Sequence, residues 1–356
     1  MNDLRNFLDR LSAAKRVLIT THVRPDGDAL GTAAAMAMAL HEKQIAAEVL
    51  LLSHLPTKYA FIFSGHDIVH HDVERGWPAE NLLNKFDTLL VVDTGTWSQL
   101  PGLRDQLANW HGTKLVMDHH LTQEDWADVK YVRTDAAAAG EIAAEVLQEW
   151  KVPMTPAIAE VIFVAIASDT GWFHFANTRP NTLRLAATLI EAGAETDKLY
   201  QLLFQNERAQ RVALQTRAQQ SLELLANNRL AVMTVSQQDF AETHAAVPDT
   251  ENLINIPLQI RMVEVSLLLV EPADGGQIRV SLRSKGGVDV AKFAEQFGGG
   301  GHARASGLKI EGSLQQAHDR VVKAMIQQLE NMPGNAAAES KRAAPDPATR
   351  AEKARA

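Results

Sequence analysis

The sequence contains no cysteine. Disulfides, thiolate nucleophiles and every cysteine-based zinc or iron–sulfur site are thereby excluded, so any metal must be held by His, Asp or Glu. No stretch approaches the roughly 18 uninterrupted apolar residues of a membrane span. The start, Met1-Asn2-Asp3-Leu4, lacks the basic patch and apolar core of a secretory signal. A cytoplasmic protein with no membrane partner is expected. Basic residues are not in excess either, since 43 Asp and Glu outnumber 35 Lys and Arg. Stable binding to long nucleic acid needs a basic face and is not expected, whereas a short phosphorylated substrate at one metal-rich site remains open. No Gly-x-Ser-x-Gly turn is present to carry a serine nucleophile. No internal repeat is evident.

What is present is a chain of 356 residues, long enough for two domains. Leu4, Phe7, Leu8 and Leu11 form an i, i+3, i+4, i+7 stripe, which predicts a helix. Apolar runs at Val17-Leu18-Ile19 and at residues 47–52, 88–92 and 115–117 read as strands. Residues 29–42, rich in Ala, Met and Leu, read as a helix between the first two. Short apolar strands alternating with helices predict an α/β domain, a parallel sheet with helices on both faces. Its ligands would gather at the carboxyl edge of the strands. Helices are expected at 136–150, at 156–167 and at 181–192, the last closed by Gly193, and residues 197–227 read as helical.

From Arg229 the texture changes. Residues 230–235, 263–270 and 278–282 are β-like, with a turn at 272–276. A helix at 288–296, a glycine-rich loop and a helix at 313–331 complete a smaller α+β domain, expected across a cleft from the first. The domain boundaries read as 1–195, a helical linker at 196–228, 229–332, and a tail at 333–356 too poor in large apolar residues to fold.

Polar residues collect at the strand ends. His22-Val23-Arg24-Pro25-Asp26-Gly27-Asp28 follows the first strand, Asp93 the third and Asp118-His119-His120 the fourth. Asp169 closes the apolar segment that begins at Pro156. A carboxylate in such a place carries a desolvation cost of several kcal/mol unless it is paired or binds a cation. Together these residues give six oxygen or nitrogen ligands, enough for two divalent cations sharing one carboxylate, the arrangement that activates water against a phosphoester. In the second half, Ser281-Leu282-Arg283-Ser284 and Gly298-Gly299-Gly300-Gly301-His302-Ala303-Arg304 combine glycine with cationic and hydroxyl donors suited to phosphate.

These motifs, in this order over residues 10–330, resemble the DHH phosphoesterase superfamily with its DHH-associated C-terminal domain. The Asp-Thr-Gly-x-Phe-x-Phe-x-Asn-Thr stretch at 169–178 is most like the bacterial nanoRNase and pAp-phosphatase group. The resemblance implies hydrolysis of very short oligonucleotides to mononucleotides and, as in many members, dephosphorylation of 3′-phosphoadenosine 5′-phosphate. It leaves three enzymatic alternatives: linear di-adenylate as substrate, a RecJ-type exonuclease and a manganese pyrophosphatase, the last disfavoured by the Gly-Gly-Gly-His loop. A nucleotide-binding sensor is the non-enzymatic one.

Carried over residue by residue, His22 and Asp26 would hold one metal, Asp28, His119 and Asp169 the other, and Asp93 would bridge them. His120 would contact the scissile phosphate and Asp118 would orient a neighbouring histidine. Arg283, Ser284, Gly299, Gly300, Gly301 and His302 would hold the terminal phosphate and sugar. The implied cofactors are two divalent ions, manganese first and magnesium or cobalt next, and a homodimer is compatible.

Two departures stand out. Residues 136–139 are all alanine before Gly140 and Glu141, where the group carries a Ser/Thr pair, and His174 stands where arginine is common. Phe173 and Phe175 have two readings, base stacking or core packing. His66, Asp67, His70, His71 and Asp72 look like a metal cluster, but no predicted strand end organises them, so they read as a solvated surface segment.

Overall fold

The computed structural model describes residues 2–73, 82–272 and 275–331. The tail at 333–356 and part of the turn at 272–276 lie outside the described residues. The chain divides into two compact units, Met1–Asn206 and Glu207–Ala356.

The first unit holds strands β1 (Arg16–Thr20), β2 (Ala46–Leu51), β3 (His70–Asp72), β4 (Thr88–Val92), β5 (Thr113–Asp118) and β6 (Val129–Val132). They form one sheet in the order β3-β2-β1-β4-β5-β6, every pair parallel. β4 is buried along its whole length, as a strand covered on both faces must be, and its sequence accordingly shows no polar alternation. The strand order turns back at β1, whose neighbours are β2 and β4, which creates a switch point at their carboxyl ends.

Helices α1 (Asn2–Ser12), α2 (Gly27–Glu42), α3 (Phe61–Ser64), α4 (Leu103–Leu107), α5 (Ala139–Glu149), α6 (Pro156–Asp169), α7 (Pro180–Glu191) and α8 (Thr196–Phe204) complete the unit. The larger core joins α1, α2, α5 and α6 to one face of the sheet. A smaller one packs Leu103 and Leu107 of α4, with Leu83 and Phe86, against Leu18, Leu89, Val91 and Val116 on the other. α2 and α6 approach closely because Gly31 has no side chain, and a Cβ there would lie 2.3 Å from the carbonyl oxygen of Val161.

The second unit begins with α9 (Ala209–Gln220) and β7 (Glu223–Leu225). It continues through β8 (Leu230–Val235), α10 (Gln237–Thr243), β9 (Val265–Val270), β10 (Ile278–Ser284), α11 (Val290–Glu295), β11 (Gly300–His302), β12 (Ala305–Ile310) and α12 (Leu314–Glu330). Its sheet runs β11-β12-β10-β9-β8-β7, antiparallel except for β8 with β9. α11 and α12 cover one face and α9 and α10 the other. The fold is thus a parallel α/β unit followed by a smaller α+β unit.

Four local expectations are corrected. Residues 70–72, expected as a surface segment that no strand organises, are exposed or half-buried but form the edge strand β3, where backbone pairing with β2 overrides the polarity of His-His-Asp. His71 Nε2 lies 2.6 Å from Glu48 Oε2, and the His70 ring packs 5.1 Å from that of Phe63. Residues 129–132 add the other edge strand. The stretch 197–227 is not one helix, since it breaks after α8 and ends in β7. The glycine run 300–302 is not a free loop but an edge strand paired with β12. Among the described residues no helix is long and apolar enough to cross a membrane.

Candidate metal centre

Three strand ends and two helix ends meet at the carboxyl edge of the parallel sheet. Beyond β1, His22 turns its Nδ1 to the carbonyl of Val23 at 3.1 Å. That leaves Nε2 3.4 Å from Asp93 Oδ2 and 4.0 Å from Asp26 Oδ1. Asp93, the first residue after β4, sits in the left-handed backbone region with φ 60°, a strained conformation of the kind held only where surroundings impose it. Beyond β5, His119 Nε2 lies 3.3 Å from Asp93 Oδ1, 3.4 Å from Asp169 Oδ2 and 3.7 Å from Asp28 Oδ2. Asp169 is the last residue of α6.

Asp26 caps α2, its Oδ1 accepting from the N–H groups of Asp28 at 3.0 Å and Ala29 at 3.1 Å. Asp28 is fully buried in the first turn of that helix. Its Oδ2 accepts from Ala139 N–H at 2.6 Å, and its Oδ1 from Gly140 N–H at 2.9 Å and the Thr32 hydroxyl at 3.2 Å. The alanine-rich segment therefore serves the site through its backbone, because the N-terminus of α5 presents unpaired N–H groups and the positive end of its dipole to a carboxylate. No sequence motif signals that contact, which spans more than a hundred residues.

The electrostatics are unfavourable without a cation. Burial and the neighbouring Asp93 and Asp169 charges raise Asp28 well above the ordinary carboxylate value. Burial, with the charges of Asp93 and Asp26, lifts Asp169 to about 6. Burial also works against ionised Asp93, but His119 and His22 overcome it and hold this carboxyl below its usual value. For His22 and His119, burial disfavours the imidazolium, yet the adjacent Asp93 carboxylate outweighs it and both are pushed up to about 9. Asp93 Oδ1 and His119 Nε2 are buried and lack a hydrogen-bond partner among the described residues. Buried polar atoms left this way are costly, and a divalent cation fits them. Three overlapping groups bring ligand atoms within 4.8 Å of one another: His22, Asp26 and Asp93; Asp28, His119 and Asp169; and Asp93, His119 and His120. The donors are all oxygen and nitrogen, a set suited to hard or borderline cations. His66, Asp67, His70, His71 and Asp72 enter none of these groups.

Asp118 is wholly buried at the end of β5. Its Oδ1 accepts from the N–H groups of His119 at 2.7 Å and His120 at 3.2 Å and lies 2.8 Å from His120 Nδ1. That bond, against the effect of burial, raises the His120 imidazole above its usual value. Gln123, which no motif marks, reaches Asp118 Oδ2 at 2.5 Å. Phe173 packs on Phe163 with ring centroids 5.6 Å apart, so its core reading describes it, while Phe175 stays 50% exposed. His174 is exposed, its ring 4.3 Å from that of Phe175.

The remaining candidates lie in the second unit. Arg283 is partly buried, and burial lowers the pKa of its guanidinium. Ser284 is buried, and its hydroxyl oxygen accepts from Gly286 N–H at 3.0 Å and Val288 N–H at 3.4 Å, bracing its own turn. Just before the edge strand, a Cβ on Gly299 would meet the Gly307 carbonyl at 2.4 Å. Gly301 combines φ +142° with a 2.6 Å approach to the Ala305 carbonyl, and Gly300 faces open space. His302 is exposed.

A cavity of about 520 Å³ in the first unit lies apart from all these residues, lined among others by Arg133, Glu145, Met154, Arg179 and Leu185. Within its lining Arg133 binds both oxygens of Asp135 and one of Glu145.

Both units have counterparts in known proteins. Residues 16–166 match the DHH family, N-terminal domain, and residues 227–331 match the DHHA1 domain. The chain therefore carries a match to the DHH N-terminal domain followed by a match to the DHHA1 domain. A relative from Thermus thermophilus, named bifunctional oligoribonuclease and PAP phosphatase NrnA, is 29% identical over 318 residues, covering 88% of this chain and 90% of the relative. Among solved structures, an exopolyphosphatase-related protein from Bacteroides fragilis superposes with a TM-score of 0.81 at 22% identity, covering 92% of this chain and 96% of that one. The exonuclease RecJ bound to manganese superposes with a TM-score of 0.53 at 14% identity, covering 93% and 97%. At such identities the two structures bear on the fold.

Proposed function

We propose that this DHH-family hydrolase is a metal-dependent phosphoesterase that degrades very short oligonucleotides to mononucleotides and also dephosphorylates 3′-phosphoadenosine 5′-phosphate. The observation that carries it is the cluster of Asp26, Asp28, Asp93 and Asp169 with His22, His119 and His120, in which Asp93 Oδ1 and His119 Nε2 are buried without a hydrogen bond. The substrate class is supported by the name of the Thermus thermophilus relative, matched over nearly the whole of both chains.

His22 and Asp26 would hold one cation and Asp28, His119 and Asp169 the other. Asp93 faces His22 with Oδ2 and His119 with Oδ1, which suits a bridging carboxylate. When bound, such cations neutralise the phosphate and make hydroxide available near neutral pH. Manganese is the first choice, magnesium or cobalt the next. His120, tied through Nδ1 to Asp118, has Nε2 left to donate to a phosphate oxygen. Arg283, the glycines 299–301 and His302 would hold the terminal phosphate and sugar, with Ser284 shaping the turn beside them. The protein would act in the cytoplasm.

Product analysis with Mn²⁺ on a labelled dinucleotide, a 24-mer and 3′-phosphoadenosine 5′-phosphate, with Asp93→Ala as control, tests this reading. Rapid conversion of the dinucleotide, lost in the control, is expected. Equal cleavage of the 24-mer would favour a RecJ-like exonuclease, and no turnover with metal bound would favour a sensor.

A further inference from the structure

We infer that Gln123 is a positioning residue that sets the His120 ring by clamping Asp118; only the kinetic part of this inference rests on the proposed function. Asp118 is a buried carboxylate with unequal oxygens. Oδ1 receives two backbone N–H groups and His120 Nδ1, while the one donor to Oδ2 among the described residues is the Gln123 amide at 2.5 Å. The torsion that turns a carboxylate is soft, and a buried oxygen without a donor is costly. Removing the amide therefore favours rotation of Asp118, which releases His120 Nδ1.

The same amide also donates to the His120 carbonyl at 3.2 Å. Both of its contacts are to acceptor oxygens, which fixes the orientation of the amide and ties it to the carboxylate and to the backbone of the residue being oriented. Gly95 leaves the room for this arrangement, because a Cβ there would fall 1.9 Å from Gln123 Oε1. The Gly95 carbonyl in turn accepts from Glu124 N–H at 3.1 Å and Trp126 Nε1 at 3.0 Å. The segment that carries Gln123 is thus fastened to the turn that follows Asp93. Among the described residues Gln123 makes no hydrogen bond to His22, Asp26, Asp28, Asp93, His119 or Asp169, and bound manganese reports separately on the metal ligands.

The test uses the full chain with Mn²⁺ and four variants: Gln123→Leu, Gln123→Ala, Gly95→Ala and the double variant Gly95→Ala/Gln123→Ala. Loss of a group that orients a functional side chain typically lowers activity about 10–100-fold. That fall is expected in kcat on the dinucleotide for Gln123→Leu, with bound manganese unchanged and KM moving less than about threefold. Gly95→Ala, which keeps the amide but denies it room, should match it, and should add nothing in the Gln123→Ala background. In ¹⁵N-histidine NMR of the protein with diamagnetic Mg²⁺ in place of Mn²⁺, the Nδ1–H signal of His120, assigned with His120→Asn, should be present in the native protein and lost in the variants. Turnover of Gln123→Leu within about twofold of native, or equal effects of Gly95→Ala in both backgrounds, overturns the inference. So does a His120 signal unchanged in Gln123→Leu. If the native chain turns over no oligonucleotide, the proposed function fails and the NMR signal alone decides the role of Gln123.

Discussion

The two units carry polar sites built on opposite principles. In the first, acids and imidazoles are brought together at the edge of a parallel sheet, with Asp28 and Asp169 raised by burial and then by the charge of Asp93. In the second, the glycine strand is exposed, and its special residues are dictated by backbone packing as much as by any ligand. The first arrangement is a cluster of mutually perturbed charges that a cation would relieve, whereas the glycines of the second are accounted for by backbone packing. Changes in the first should therefore act on chemistry with little loss of fold, and changes in the second on binding and stability.

The largest effect that would test this contrast is expected at Asp93. Asp93→Asn should lower kcat/KM by about a thousandfold, equivalent to about 4 kcal/mol of transition-state stabilisation, while circular dichroism and melting stay native. His302→Ala should instead raise KM by about tenfold, the scale of about 1.4 kcal/mol, with metal content unchanged. Comparable effects of the two on kcat would erase the distinction.

Within the glycine run the three positions should separate on thermal melting. Gly299→Ala and Gly301→Ala should each cost about 1–3 kcal/mol through the close carbonyl and the strained φ. Gly300→Ala, with nothing near its Cβ, should stay within about 0.5 kcal/mol.

The smallest effect concerns pH in the metal-free protein. His22 and His119 titrate near 9 when folded, against an ordinary 6.5. Their stabilisation is complete below 6.5 and is lost as pH rises through 9. Asp169, at about 6 against 3.8, acts in the same direction at lower pH. The melting temperature in EDTA should thus decline by a few degrees between pH 6 and 9. Saturating Mn²⁺ should raise it most at the alkaline end, because protons and metal compete for the same atoms. A flat profile in EDTA would show that the cluster is not the strained element inferred here.

Much of this organisation was legible in the chain. β1, β4 and β5 have apolar centres, Val17-Leu18-Ile19, Leu89-Leu90-Val91-Val92 and Leu115-Val116-Met117, each followed within three residues by acid or histidine, so their existence and the residues beyond them could be read directly. The edge strands were not: His70-His71-Asp72 has no apolar signal, Val129-Lys130-Tyr131-Val132 is only four residues long, and β7 follows a helix without a break in polarity. The glycine run concealed β11, because glycine argues for loops more strongly than for pairing. At the site, the six candidate ligands stand on strand and helix ends and were found by type and place. The α5 N–H groups on Asp28 and the Gln123 amide on Asp118 were not, since a backbone donor has no side-chain signature and a lone glutamine has no motif.

The left-handed backbone at Asp93 has an evolutionary consequence. Of the residues that tolerate that conformation, glycine and asparagine lead, and each is one base change from an aspartate codon. Substitutions that would remove the proposed bridging carboxylate are thus also those the fold accepts most readily. A lineage of this protein could pass from hydrolysis to mere nucleotide binding in a single mutational step while remaining folded.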